Sequence, residues 1–164
     1  MHSPRVRHDD LPYRPCVGVM LLNREGRVFV GRRIDQTAEG WQLPQGGIDK
    51  GENPVEAAYR ELEEEIGTRN ALLLRECRDW LSYDLPVHLL GVALRGRYRG
   101  QRQKWLAMRF QGDDSEINVH TAEPEFSQWK WLPLDALLQL VVPFKRDTYA
   151  KVIDAFHDLA TAVE

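Results

Sequence analysis

Residues 53 to 67 constrain the fold of this chain more than any other stretch. Asn53 is a residue type that caps helix N-termini, Pro54 suits the first helical position, Glu56 stands three after the cap, and Gly67 supplies a stop. The spacing predicts a helix over 54–66. At about 100° per residue, Val55, Ala58, Leu62 and Ile66 fall within a stripe roughly 80° wide, the face that would pack on a sheet. Glu61, Glu64 and Glu65 share one flank of that stripe, while Glu56, Glu63 and Arg60 lie on the other side. The i, i+3, i+4 spacing gathers three carboxylates within about one turn, at the core boundary, with no base on the same flank. Three like charges that close repel, and a hard divalent cation would relieve them. Oxygen-only ligation is the chemistry of Mg2+ or Mn2+, and the absence of a paired His or Cys argues against a dedicated zinc site. For a bare run of glutamates the alternative is a solvated acidic face, so the surrounding pattern has to decide.

The remaining periodicity predicts strands around the helix. Cys16 to Leu22 and Arg27 to Val30 read as a hairpin about Gly26. Trp41 to Leu43, Leu72 to Leu74, Trp80 to Tyr83, Leu89 to Leu94, Lys104 to Phe110 and Trp129 to Trp131 read as further strands. Helices are expected near Leu134 to Leu140 and from Asp147 to Ala162, the latter with Tyr149, Val152, Ile153, Phe156 and Leu159 at helical spacing. A length of 164 residues suits one domain, read as 13–164 behind a flexible arm over 1–12. Cys16 and Cys77 form no CxxC pair or disulfide framework, and no apolar run approaches the length of a membrane span. A soluble cytoplasmic protein with reduced thiols is expected. The formal net charge of −3 gives no overall signal for nucleic acid, yet Arg95, Arg97, Arg99, Arg102 and Lys104 crowd residues 95–104 without an acid. Such a local field attracts phosphates.

The helix belongs to a longer spaced pattern. Gly46 is followed after five residues by Glu52, and after seven more by Arg60-Glu61-Leu62-Glu63-Glu64-Glu65-Ile66-Gly67-Thr68. This resembles the Nudix box, the signature of the Nudix hydrolases, at every fixed position but the last, where Thr68 replaces an aliphatic residue that packs after the helix. The resemblance implies an α/β fold, a Nudix-type α/β/α sandwich with a mixed β-sheet and the box as a loop-helix-loop. It also implies that Glu61, Glu64 and Glu65 are catalytic and bind Mg2+ or Mn2+ beside a phosphate chain, with the Gly46 carbonyl as a further ligand. Glu52 and Arg60 would form the structural ion pair that orients the loop. A Nudix-fold module that only binds RNA or nucleotides is the rival of another class. It would be expected to lack one of these glutamates, and this chain keeps all three.

The flanks narrow the substrate. Tyr13-Arg14-Pro15, Trp41-Gln42-Leu43-Pro44-Gln45-Gly46-Gly47-Ile48-Asp49, Gln101-Arg102-Gln103-Lys104-Trp105, Pro124-Glu125-Phe126 and Phe144-Lys145-Arg146-Asp147 resemble the bacterial RNA pyrophosphohydrolases. These are akin to the dinucleoside polyphosphate hydrolases, which share the Pro-Gln-Gly-Gly-Ile loop. The resemblance implies removal of pyrophosphate from the 5′-triphosphate end of RNA, a step that promotes mRNA decay; cleavage of a dinucleoside polyphosphate is the alternative. It makes Glu125 an additional metal ligand. Arg14, Arg33, Gln101, Gln103 and Lys104 become contacts to phosphate or nucleotide. Tyr83 and Phe144, the latter followed by Lys145, are the kind of aromatic and basic neighbours that stack a base and hold its phosphate. The expected partner is an RNA 5′ end or a dinucleoside polyphosphate, with no membrane and no DNA.

Overall fold

The computed structural model describes residues 6–34 and 40–163. Its centre is β1 (Tyr13–Leu22), whose apolar run is buried without interruption from Cys16 to Leu22 because it is covered on both faces. β1 runs parallel to β7 (Gly100–Phe110), in register from Tyr13 opposite Gly100 to Leu22 opposite Arg109. It is antiparallel to β2 (Val28–Arg33) across a turn in which Gly26 takes φ +79°, and antiparallel to β4 (Gln45–Gly47). β3 (Trp41–Gln42) and β8 (Phe126–Leu132) join β2; β5 (Ala71–Glu76) and β6 (Leu81–Asp84) join β7. Among the described residues these eight strands make one mixed sheet.

Alternate side chains of the central strands divide the core in two. Val17, Val19, Leu21, Leu106 and Met108 pack against α1 (Pro54–Ile66) through Ala57, Ala58, Leu62 and Ile66. Met20, Leu22, Trp105 and Ala107 pack against α2 (Arg146–Phe156) through Tyr149, Val152 and Phe156. Each fully buried Leu or Phe contributes about 1.5–3 kcal/mol, so both helices are fixed by the sheet. A helix on either face of a mixed sheet is the expected α/β sandwich.

The helix over 54–66 lies where its sequence places it. Asn53 Oδ1 accepts the Glu56 N–H at 2.9 Å, Asn53 Nδ2 donates to Glu56 Oε1 at 2.9 Å, and Gly67 closes the helix at φ +79°. Other expectations are corrected. Leu89 to Leu94 is no strand: 3-10 turns occupy Val87–Leu89 and Ala93–Gly96, in a connection whose Leu94 and Arg95 are left-handed. Residues 95–104, the basic stretch, are therefore half loop and half β7. Leu134–Gln139 is a 3-10 segment entered from Pro133, too short to propagate an α-helix. α2 stops at Phe156, followed by a 3-10 turn over His157–Leu159, so its apolar spacing outruns the helix. Of the N-terminal arm, residues 1–5 lie outside the described residues; His8 Nε2 stands 2.6 Å from the Leu85 carbonyl oxygen.

Candidate active site

β4 lies flush against one turn of α1. A Cβ on Gly46 would run into the Glu61 carboxylate, and the Gln45 N–H donates to Glu65 Oε2 at 3.2 Å. Only a residue without a side chain lets the strand approach the carboxylates this closely. Glu61 is 8% exposed and Glu65 2%, so both sit deeper than the core-boundary flank expected from the helical wheel.

Arg60 ties the loop to the helix. It donates to Glu52 from Nε and Nη2, both at 2.8 Å, and from Nη2 to the Gly47 carbonyl at 2.8 Å. Its Nη1 reaches Glu61 at 2.9 Å and Glu64 at 3.2 Å, and Asp49 stands 3.5 Å from Nε. The helical wheel set Arg60 apart from the three glutamates; its long side chain curls around the helix to meet two of them, which corrects the reading that no base serves that flank. The Arg60 guanidinium holds Glu52 far below the usual carboxylate range, at about 2, helped by the Asp49 N–H.

The other carboxylates move the opposite way. Burial pushes Glu61 up to about 7 against the pull of Arg60. Burial, then the charges of Glu61 and Glu125, raise Glu65 well above the ordinary value. Glu125 lines the same open cleft of about 550 Å3 as Glu61, Glu64 and Glu65, with Arg69, Thr121 and Glu123 on its rim. Among the described residues no three acidic, His or Cys side chains already converge on one point, because Glu61 and Glu64 turn to Arg60. The donor set nevertheless suits a hard cation: buried carboxylate oxygens packed against a strand that leaves no room for a Cβ.

Leu43, two residues before β4, packs on the other side of the sheet with Tyr149 and Val152 of α2. Arg14 of β1 packs on Gly47, where a Cβ would come within 2.5 Å of its guanidinium. Tyr83 of β6 is buried with its ring 5.6 Å from Phe144; Lys145 Nζ is 6.0 Å from that ring and 3.2 Å from Gln42 Oε1. Burial pushes the Cys16 thiol up to about 12, with the charges of Arg14, Glu61 and Lys145 as lesser influences. Arg33 ends β2 beside a register shift, and its charge acts on Glu65 and Tyr83.

The three β7 residues expected at a nucleotide divide between the faces of the strand: Gln101 lies beside Arg14 and Tyr83 and Gln103 beside Cys16, while Lys104 points the other way. Gln103 donates to Gln101 at 2.7 Å and accepts from Trp105 Nε1 at 2.9 Å, so both amides are buried and engaged with each other. Lys104, on the opposite face of β7, donates to the Arg78 carbonyl at 3.0 Å beside Trp80 and Glu76. Other polar groups at the site carry no sequence signal. The Tyr149 hydroxyl accepts the Leu43 N–H at 2.9 Å, although Tyr149 reads only as part of an apolar stripe. Gln45 Oε1 and Thr121 Oγ1 are buried without a partner among the described residues.

Residues 12–152 match the NUDIX domain model, and the chain belongs to the Nudix hydrolase family. Its curated relatives include the RNA pyrophosphohydrolase of Mesorhizobium japonicum, 54% identical over 171 residues that cover 96% of this chain and 98% of that protein. That of Rhodospirillum rubrum is 59% identical over 151 residues, covering 92% and 91%. The fold is shared with the E. coli dihydroneopterin triphosphate pyrophosphohydrolase (TM-score 0.65, 22% identity, 88% and 99% covered). It is shared also with a C. elegans Ap4A hydrolase binary complex (TM-score 0.64, 18% identity, 88% and 98% covered). Nudix hydrolases generally use divalent cations. No helix among the described residues is long and apolar enough to cross a membrane.

Proposed function

We propose that this chain removes pyrophosphate from the 5′-triphosphate end of RNA, leaving a 5′-monophosphate, and that it does so in the cytoplasm. The observation that carries the reading is the box helix folded against β4: Glu61 and Glu65 buried at the Gly46 backbone, with Glu125 lining the same cleft. The RNA assignment is supported by the name its relatives carry over nearly their whole length. Glu61, Glu64, Glu65, Glu125 and the Gly46 carbonyl would hold the cation, Mg2+ or Mn2+. When bound it offsets phosphate charge and makes water a better nucleophile.

The chain's own groups supply the rest. A water oxygen bonds phosphorus, the phosphoanhydride P–O bond breaks, pyrophosphate leaves, and a cluster carboxylate accepts the proton. Arg60 works through position: pinned to Glu52 and the Gly47 carbonyl, it fixes the loop against the helix. Arg14, Arg33 and Lys145 hold phosphate oxygens, and the half-buried Phe144 offers its ring to the first base, backed by Tyr83. Gln101 and Gln103 act from beneath as a buried brace for Trp105. The test is a panel of 5′-triphosphorylated RNA, 5′-diphosphorylated RNA and dinucleoside tetraphosphate assayed with Mg2+. Release of pyrophosphate from the first at the highest kcat/KM is expected; rapid cleavage of the dinucleotide with the RNA end left intact overturns the substrate assignment.

A further inference from the structure

The connection from β6 to β7 covers residues 85–99, although antiparallel neighbours need a turn of only about two to five residues. It contains three consecutive left-handed residues, Leu94 at φ +54°, Arg95 at φ +60° and Gly96 at φ +70°. Gly96 tolerates this, but Leu94 and Arg95 do not adopt it freely, because their Cβ crowds the following carbonyl oxygen. Such strain persists only where surrounding structure imposes it, and it gathers at ligand sites.

The strained loop folds over Arg14 and encloses a hollow of about 400 Å3 lined by Arg14, Leu94, Arg95, Arg97 and Tyr98. Three of five lining residues are arginines and none is acidic. No ion pair is formed by Arg14, Arg95 or Arg97 among the described residues. Their neighbour Arg99 differs: it is bonded to Asp84 at 2.9 Å, lies 3.6 Å from Asp9, and sits over the Tyr13 ring at 4.6 Å. One arginine of the loop is thus consumed in holding it, while the guanidinium groups at the hollow repel one another without an anion. Arg14 is the link to the reaction, since it also packs on Gly47, the residue after the one that touches Glu61. The hollow therefore continues the surface on which the 5′ end would lie.

We propose that this hollow is a second anion site, which takes a phosphodiester of the RNA chain downstream of the cleaved end, with Arg95 and Arg97 as the added clamp and Tyr98 beside it for a base. The inference rests on the RNA reading above and extends it: the hollow distinguishes an RNA chain from a nucleotide with no phosphodiester to place there. Bidentate guanidinium contact to phosphate is the chemistry that recognises it.

Binding of 3′-labelled, 5′-monophosphorylated RNA of two, four and eight nucleotides is measured for the parent and for Arg95→Ala/Arg97→Ala. Both side chains are exposed, so the fold should hold, which an unchanged melting curve checks. The parent is expected to bind the longer RNAs at least ~10-fold more tightly than the dinucleotide, as two charge-assisted contacts allow. The double variant should lose that increment, with the slope of log Kd against log salt falling by about 0.7 to 1.4. Arg95→Lys/Arg97→Lys, which keeps the charge, should recover part of it. Length-independent binding by the parent, or an equal loss on the dinucleotide, overturns the proposal. Pyrophosphate release from triphosphorylated RNA by the parent is scored separately. Its absence would remove the functional reading, while the length dependence decides the hollow by itself.

Discussion

Two stretches of opposite charge dominate this chain, and they are built on opposite plans. Residues 52–65 carry six acids and one arginine; residues 95–104 carry five bases and no acid. In the acidic stretch that one arginine is the organiser. Arg60 engages Glu52, Glu61, Glu64 and a backbone carbonyl, so negative charge is fixed in place and partly buried. In the basic stretch the charge is dispersed. Arg99 is paired to Asp84, Arg102 lies 4.6 Å over the Trp80 ring, Lys104 is bonded to a carbonyl, and Arg95 and Arg97 alone reach the hollow. Net charges of equal size and opposite sign thus give one preorganised cluster and one scattered field, and the difference is burial. The acidic cluster is partly buried and cannot relax into water, whereas exposed bases can distribute their charge.

Substitutions can break either side of that comparison. Glu61→Gln keeps shape and burial while removing one charge. Its turnover should drop by more than about 100-fold, since even residues that merely orient a metal ligand cost 10- to 100-fold. Steady-state rates at saturating Mg2+, with thermal melting to verify the fold, check this.

Arg60→Ala attacks the organiser. It strands Glu52 and Glu61, and an equilibrium urea titration should show a loss of about 2 kcal/mol, less than for a fully buried pair because the Arg60 side chain keeps 27% of its exposure. The same pair predicts a pH dependence. Glu52 is depressed to about 2 in the folded protein, so its contribution is complete above its unfolded value near 4.5 and is lost as pH falls through about 2. Below about pH 4.5 this pair should therefore lower the melting temperature of the parent as pH falls, and that part of the fall should vanish in Arg60→Ala.

Phe144→Ala tests the nucleotide side with a smaller effect. KM for triphosphorylated RNA should rise about 10-fold with kcat little changed, the scale of one base–aromatic stack. A fall in kcat alone would place Phe144 in the packing of Tyr83 instead. Smallest of all, Arg99→Ala should lower the melting temperature slightly while Arg97→Ala leaves it unchanged, separating the arginine that holds the loop from one that does not.

The sequence makes α1 legible because its limits are local: a cap at Asn53, a stop at Gly67, and a stripe of small and aliphatic residues. The central strands are legible for the same kind of reason, a continuous apolar run that burial on both faces demands. Leu89 to Leu94 misleads because its apolar residues resemble a strand, while the backbone at Leu94 and Arg95 is left-handed, a conformation that the propensity of neither residue reports. At the site, spacing along one helix identifies Glu61, Glu64 and Glu65, but the sense in which Arg60 curls depends on Glu52 and Gly47, which only folding brings near. Strand parity puts Gln101 and Gln103 on the Arg14 and Tyr83 face of β7, bonded to each other and to Trp105, and Lys104 on the other face, a division that a positional resemblance does not report.

The most direct measurement follows pyrophosphate release from a 5′-triphosphorylated RNA, in Mg2+, by the parent and by Glu61→Gln at matched concentration. Pyrophosphate and a 5′-monophosphate end are expected from the parent, with almost none from the variant. Equal rates in both would contradict the assignment of the reaction to the buried carboxylates on Gly46, and an intact triphosphate in both would contradict the RNA substrate.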